Sequence, residues 1–137
     1  MRYLVALVWL ITTSPVFASA CDGIDRSLSI ERKAILAPLV TKQLAQQIDI
    51  QSAEVLESFR YKGWYILYVE PKTADEAFLF YNGDPATHSY LLAWPDAFSE
   101  NDERNVLQTL SSGSTKRIPR PLARCFAWHV TQGVAQK

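Results

Sequence analysis

Apolar residues recur at every fourth position in the first third of the chain, and this spacing predicts a helix with one apolar face. The helix is expected to begin near Ile30, and its apolar face carries Leu36, Val40, Leu44 and Ile48. Pro38 lies within the same stretch, where proline supplies no N–H and its ring crowds the preceding turn. We therefore expect the helix to be broken at Pro38, either as a kink or as two short helices.

Further along the chain the apolar period changes from near four to two, which is typical of β-strands. Four such runs, divided by turn residues such as Lys62-Gly63, predict a four-stranded antiparallel sheet that ends at Trp94. The runs begin at Ala53, Trp64, Ala77 and His88. In the first run, Val55 and Phe59 are expected on the same face. The second run, Trp64 to Glu70, is apolar on both faces and is predicted to be an inner strand.

Two further helices are predicted after the sheet. Ser99, followed three positions later by Asp102, is the expected start of the first, whose apolar edge carries Val106 and Leu110. The second is predicted over residues 122–132, and its inner side carries Leu122, Cys125, Phe126 and His129. The fold class is therefore α+β: a helix broken at Pro38, a four-stranded antiparallel sheet and two C-terminal helices.

Residues 1–20 have the features of a secretory signal peptide. Arg2 supplies a positive charge, a short apolar run follows, and the small residues Ala18-Ser19-Ala20 form a cleavage signal. The apolar run is much shorter than the ~20 residues that a membrane span needs. We expect the signal peptide to be removed, and residues 21–137 to form a single α+β domain exported to the periplasm or secreted.

Cys21 would be the first residue after cleavage, and its only possible partner within the chain is Cys125. Lipidation of Cys21, as in bacterial lipoproteins, is the minority alternative, because it would leave Cys125 as a free thiol in an oxidising compartment. We expect a disulfide between Cys21 and Cys125.

The charge of the chain is balanced in sum but uneven in distribution. Removal of residues 1–20 takes away one of the 14 basic residues, Arg2, and leaves 13 against 14 acidic residues. This balance gives no reason to expect a nucleic acid as a partner. From Arg104 onward, however, there are six basic residues and no acidic one. We therefore predict a basic C-terminal region.

The residues offer little for catalysis or metal binding. There is no Gly-x-Ser-x-Gly motif, and both cysteines are expected to be in the disulfide. His129 lies on an apolar helix face and is predicted to be a core histidine, and His88 a loop residue at a strand start. The two histidines lack the spacing of a metal site. The acidic residues Asp96, Glu100, Asp102 and Glu103 lack the spacing of a calcium loop. We expect no catalysis, no metal and no cofactor.

Two surfaces are candidates for binding. The first is an aromatic sheet face formed by Trp64, Tyr68, Tyr90 and Trp94, which would be half-exposed if the helices cover only the other face. The alternative is that these four residues are the large side chains of one core. The second is a basic helix face formed by Arg117, Arg120, Arg124 and Trp128, continued by Lys116 in the preceding loop. Arg124 and Trp128, at a spacing of four, are close enough along a helix for a cation–π pair.

These features predict a periplasmic binding protein without catalytic activity and with a protein partner in the envelope. An inhibitor of an envelope hydrolase, or an immunity-type protein that neutralises a toxin, fits this description best, by analogy of size and compartment. The alternative is a carrier or sensor of a small apolar ligand or glycan, held on the aromatic face. A small enzyme that acts on envelope polymers ranks third.

Overall fold

The structure, a computed structural model, describes residues 19–95 and 102–133. Helix α1 (Ile30–Leu44) is followed by four strands and then by two helices. The strands are β1 (Glu54–Tyr61), β2 (Trp64–Glu70), β3 (Ala77–Asn82) and β4 (Leu92–Pro95), and the helices are α2 (Glu103–Leu110) and α3 (Arg120–Trp128). A 3-10 turn, Gly113–Thr115, joins the two helices, and a π-helical turn, His129–Gly133, follows α3. Within these ranges no helix is long and apolar enough to cross a membrane.

The four strands form one antiparallel sheet in sequence order, as predicted. Lys62 and Gly63 join β1 to β2, and both have positive φ angles, 45° and 80°, which suit a tight hairpin turn. Strand β2 lies between β1 and β3, so the prediction that it is an inner strand is confirmed.

Helices cover both faces of the sheet. Helix α1 packs on one face, where the buried side chains of the sheet include Val55, Leu67, Val69, Leu79 and Tyr81. Helices α2 and α3 pack on the other face, against Phe59, Trp64, Ile66, Tyr68, Phe78, Phe80 and Trp94. The two clusters form separate cores, divided by the sheet.

Strand β1 does not keep the predicted alternation. The register shifts between Val55 and Glu57, which indicates a β-bulge at this point. As a result Val55 packs on the α1 side, whereas Phe59 packs on the side of α2 and α3. The expectation that Val55 and Phe59 share a face is wrong, because the extra residue of the bulge reverses the faces.

Helix α1 runs without interruption through Pro38, so this stretch is one helix and not the two short helices that were one form of the expected break. It begins after Ser29, whose hydroxyl accepts a hydrogen bond from the Arg32 N–H at 3.1 Å. Pro38 has no N–H to donate to the carbonyl of Ala34, as a helical residue at this position otherwise would. Both residues are exposed, so water can donate a hydrogen bond to this carbonyl instead. The apolar face ends at Leu44, and Ile48 lies beyond the helix and is exposed.

The C-terminal helices differ from the prediction mainly at their ends. The side chain of Asp102, rather than Ser99, caps α2 by accepting the Asn105 N–H at 2.7 Å, and Ser99 lies outside the described residues. Helix α3 begins two residues earlier than predicted and gives way to the π-helical turn at His129. The predicted inner residues Leu122, Cys125 and Phe126 are buried.

A disulfide joins Cys21 to Cys125, with their Cα atoms 4.5 Å apart, and confirms the predicted pairing. Cys125 is fully buried on α3, so the bond ties the N-terminal segment to the core between the sheet and the C-terminal helices. Four residues later, Asp25 pairs with Arg60 of β1 through two backbone hydrogen bonds of 2.9 and 2.8 Å. The N-terminal segment therefore lies along the outer side of β1.

Replacing Pro38 by Ala is expected to raise the free energy of unfolding by about 2 kcal/mol. Proline inside a helix costs ~3 kcal/mol, and part of this is offset because proline restricts the unfolded chain. Pro121→Ala is the matched control. Pro121 lies in the first turn of α3, where its missing N–H would have no helical partner, so its change should be much smaller. Urea denaturation of both variants measures the difference, and a Pro38→Ala variant no more stable than the parent would contradict it.

The double variant Cys21→Ala/Cys125→Ala is expected to lose ~4–5 kcal/mol of stability, because the disulfide closes a loop with a sequence separation of 104. Denaturant titration of the variant and of the parent protein, with and without reductant, measures the loss. Reduction should destabilise the parent protein to a similar extent and leave the variant unchanged. Equal midpoints for the oxidised parent and the variant would refute the prediction.

Candidate functional site

The predicted aromatic surface is part of the core. Trp64, Tyr68 and Trp94 are only 6, 5 and 7% exposed, because α2 and α3 cover this face of the sheet. The Tyr68 ring stacks on Phe78 with 4.5 Å between centroids, and its hydroxyl donates a hydrogen bond to the Glu76 carboxylate. The expectation of a half-exposed aromatic face is wrong, because α2 and α3 cover this face, and the alternative that these rings belong to the core holds for Trp64, Tyr68 and Trp94.

Tyr90, the fourth aromatic residue of the predicted set, lies on the opposite face of the sheet. Strand β4 begins only at Leu92, and Tyr90 packs with Tyr81 in the cluster that α1 covers, at 6.4 Å between ring centroids. Burial raises the pKa of the Tyr90 hydroxyl, and that of Tyr81, above the ordinary value. The four rings therefore do not form one surface, and the basis for a carrier that uses them is lost.

The basic helix face, in contrast, is exposed. Arg117, Arg120 and Arg124 are accessible to solvent, as is Lys116 in the preceding turn. Arg104, on the neighbouring helix α2, adds a fifth cation. We call these five residues, Arg104, Lys116, Arg117, Arg120 and Arg124, the basic surface. The sequence places four of them on the basic helix face and places Arg104 in the basic C-terminal region. The packing of α2 against α3 brings Arg104 near the other four.

A groove between α2 and α3 passes through the basic surface. It has a volume of about 420 Å³, and its lining combines cations with apolar side chains. The lining residues are Arg104, Leu107, Gln108, Ser111, Lys116, Ile118, Arg120 and Ala123. A second depression, on the other side of Arg120, is lined by Arg124, Pro121 and Asp22, and also by Ser19 and Ala20. Removal of the predicted signal peptide would take away the last two residues, so only the groove between α2 and α3 is used below.

None of the five cations has a carboxylate within ion-pair distance in the described part of the chain. Cations elsewhere do form pairs: Arg26 with Glu57 at 2.9 Å, Arg32 with Asp84 at 2.8 Å and Lys72 with Glu54 at 3.4 Å. The positive charge of the basic surface is therefore concentrated rather than neutralised locally, and it would favour the approach of an anionic group.

Trp128 is half-buried at the end of α3, one turn after Arg124. A cation–π pair between these two residues does not form. Across residues 19–95 and 102–133 such contacts are made by Arg26, Arg60 and Lys62, with Phe59, Tyr65 and Tyr61 respectively. The Arg124 guanidinium therefore remains in solvent, where it is free to meet a partner.

A second polar cluster, which the sequence did not predict, joins three distant segments. One oxygen of the Glu57 carboxylate lies 2.9 Å from Arg26 Nη2, and the other lies 3.4 Å from His129 Nε2. The Arg26 guanidinium also lies 3.5 Å from the centre of the Phe59 ring, and the His129 ring packs edge-on to Phe59 at 5.1 Å. His129 is thus a partly buried residue at the margin of the core, in contact with the Glu57 carboxylate. No local sequence signal marks the cluster, because it is formed by tertiary contacts.

His88 and the acidic residues give no sign of a metal site. His88 lies exposed in the loop after β3, where its Nδ1 is 2.9 Å from the Thr87 hydroxyl. Among the described residues no three His, Cys, Asp or Glu side chains come together in a way that could hold a metal ion. Asp96 and Glu100 of the acidic cluster fall outside those residues.

Comparisons of the chain with protein-family models, with curated proteins and with solved structures found no match. The function must therefore be inferred from the surfaces of this chain alone.

The polar cluster predicts a pH dependence of stability. The hydrogen bond from His129, together with the charge of Arg26, holds the pKa of the Glu57 carboxyl below its ordinary value, against the opposing effect of burial. A carboxyl with a lowered pKa stabilises the fold above its unfolded pKa of about 4.3, and this stabilisation is lost as the pH falls through the folded pKa. Glu57→Gln should therefore be destabilising at pH 7 and much less so near pH 3.

Glu54→Gln is the matched control, because Glu54 lies on the same strand but makes only an exposed ion pair with Lys72. Its effect should be about 0.5 kcal/mol or less at both pH values. Urea denaturation at the two pH values tests both variants. A Glu57→Gln effect that does not shrink at low pH would show that the ionised carboxylate is not what stabilises the cluster.

Proposed function

We propose that this protein is a binding protein without catalytic activity that docks an acidic surface of a partner protein through the basic surface. The observation that carries the proposal is the basic surface, whose five cations make no ion pair with any residue that the structure describes. Three of them, Arg104, Lys116 and Arg120, line the groove between α2 and α3. Arginine is enriched at protein interfaces, where its planar guanidinium can bind a carboxylate through two hydrogen bonds.

The lining of the groove favours a protein over an anionic polysaccharide. Leu107, Ile118 and Ala123 supply an apolar floor between the cations. Apolar area at the centre with charges at the rim is the usual anatomy of a protein interface. A polymer of charged sugars would use the cations but would gain little from the apolar floor.

An exported protein of this kind would act in the periplasm, and an inhibitor of an envelope hydrolase or an immunity-type protein remains the proposed role. The disulfide between Cys21 and Cys125 supports an oxidising compartment, where such bonds persist. The attachment of α3 through this bond would also fix the backbone that carries Arg120 and Arg124. Pre-organised cations bind with less loss of side-chain and backbone freedom.

The proposal predicts that Arg120→Glu/Arg124→Glu abolishes binding of the partner. The matched control is Lys42→Glu/Lys62→Glu, which changes the net charge equally at exposed positions outside the basic surface. Affinity capture from an envelope extract is carried out with the parent protein and both variants. The candidate partners are proteins that bind the parent and the control but do not bind Arg120→Glu/Arg124→Glu. The purified candidate is then titrated against the same three proteins at increasing salt.

Direct binding of the purified partner by the parent and the control, with loss of affinity by roughly a hundredfold or more in Arg120→Glu/Arg124→Glu, would support the proposal. The affinity should also fall as the salt concentration rises. Equal binding by the two double variants would overturn it. Binding of purified anionic cell-wall polysaccharide, with no protein recovered, would overturn it in favour of a polymer ligand.

A further inference from the structure

Helix α1 presents apolar residues to solvent as well as to the sheet. Its inner side is buried against the sheet and carries Leu36, Val40 and Leu44. The apolar side chains that it exposes are those of Ile30, Ala34, Ile35 and Pro38. The exposed fraction is 82% for Ile30 and 53% for Ile35. A helix on the surface of a protein is usually polar on the side away from the core, and exposed apolar residues rimmed by polar ones mark interaction sites.

Two opposite charges lie at the ends of this exposed side. Glu31 is in the first turn of α1 and Lys42 is in the last, three helical turns further on. Both therefore lie on the outer side of the helix, about 16 Å apart along its axis. Neither forms an ion pair with any residue that the structure describes, and neither has an opposite charge three or four positions away. Each charge is available to a charge on another molecule.

The two charges and the apolar residues between them form one line along the helix. Glu31, Ile35, Pro38 and Lys42 follow one another at spacings of four, three and four residues, and all four are exposed. This is the spacing of the seam along which two helices of a coiled coil contact each other. We call these four residues the outer seam of α1.

The outer seam is complementary to itself when two copies of the helix are antiparallel. A two-fold axis between residues 36 and 37 places Glu31 of one subunit opposite Lys42 of the partner subunit, and Ile35 opposite the partner's Pro38. Two ion pairs then flank the apolar contact. A parallel arrangement would place like charges opposite each other, and these repel. The charges therefore favour an antiparallel second copy.

We propose that this protein forms a two-fold symmetric dimer in which the outer seams of two α1 helices pack against each other. A contact made by one helix from each subunit is small beside the ~1,600 Å² of a standard interface, so the dimer is weak and reversible. The dimer goes beyond the proposed docking function and is independent of it, because α1 covers the face of the sheet opposite to α2 and α3.

A second copy fits the outer seam better than a lipid surface does. A helix that lies on a membrane has a broad apolar face, flanked by lysine and arginine. The outer seam has two apolar side chains at its centre, and Glu31 at one end would be repelled by anionic lipid. Only a partner with charges of both signs satisfies Glu31 and Lys42 together, and a second copy supplies them at the required distance.

The test is the molar mass of the oxidised protein, measured by sedimentation velocity from micromolar to millimolar concentration. The parent should change from monomer to dimer as its concentration rises. Glu31→Lys and Lys42→Glu should each weaken dimerisation roughly tenfold or more, because each replaces two ion pairs by two contacts between like charges. Lys62→Glu, the control, makes the same change of charge in the turn between β1 and β2 and should dimerise as the parent does.

A mixture of the two variants tests the antiparallel arrangement directly. In a mixed dimer each lysine of the Glu31→Lys subunit faces a glutamate of the Lys42→Glu subunit, so both ion pairs are present. An equimolar mixture should therefore dimerise as readily as the parent, although neither variant does so alone. A variant that failed to fold could not be rescued in this way. Ile35→Gln keeps a good helix former at an exposed position and should weaken dimerisation several-fold.

The proposal is overturned if the parent stays monomeric over the whole range, if Glu31→Lys and Lys42→Glu dimerise as the parent does, or if their mixture is no more dimeric than either alone. A monomeric parent that binds vesicles of phosphatidylethanolamine and phosphatidylglycerol, with loss of binding in Ile35→Gln, would overturn it in favour of a lipid surface. The docking proposal is judged separately, because the monomeric Lys42→Glu/Lys62→Glu variant should still bind the partner through the basic surface.

Discussion

The burial of both faces of the inner strands is the constraint on which the rest of the structure depends. Ile66 and Phe80 on one face, and Leu67 and Leu79 on the other, are completely excluded from solvent. A sheet with two apolar faces needs a helical layer on each side, so the chain must place α1 before the sheet and α2 and α3 after it. The same constraint buries Trp64 and Trp94 in the core. The surfaces that remain open to a partner are therefore the outer sides of the helices and the margin of the sheet.

The elements with a clear apolar period could be predicted from the sequence. Strand β2 has the predicted bounds. Its run is apolar on both faces, and the turn residue Gly63 and the strand-ending Pro71 mark its two ends in the sequence. The inner side of α3 was also predictable, and so was the disulfide, since Cys21 had one available partner. The cations of α3 form a run in the sequence, so the basic surface was largely predictable too.

The rest depended on tertiary contacts or on details that periodicity does not encode. A bulge adds one residue without leaving a signal, so the faces of Val55 and Phe59 were misjudged. The cost of Pro38 depends on whether water reaches the carbonyl of Ala34, and a sequence does not reveal this. The number of helices in the sequence also does not reveal how they divide between the two faces of the sheet, one on one face and two on the other.

The path of the N-terminal segment has a consequence for association between molecules. It starts at Cys21 beside α3, pairs with β1 at Arg60 and reaches the α1 side by Leu28, so it wraps around the outer margin of the sheet. Unpaired strand margins are templates for another chain, and a paired or covered margin resists amyloid-like growth. Because one end of this wrap is held covalently by the disulfide, oxidation would protect the protein from aggregation as well as stabilise it against unfolding.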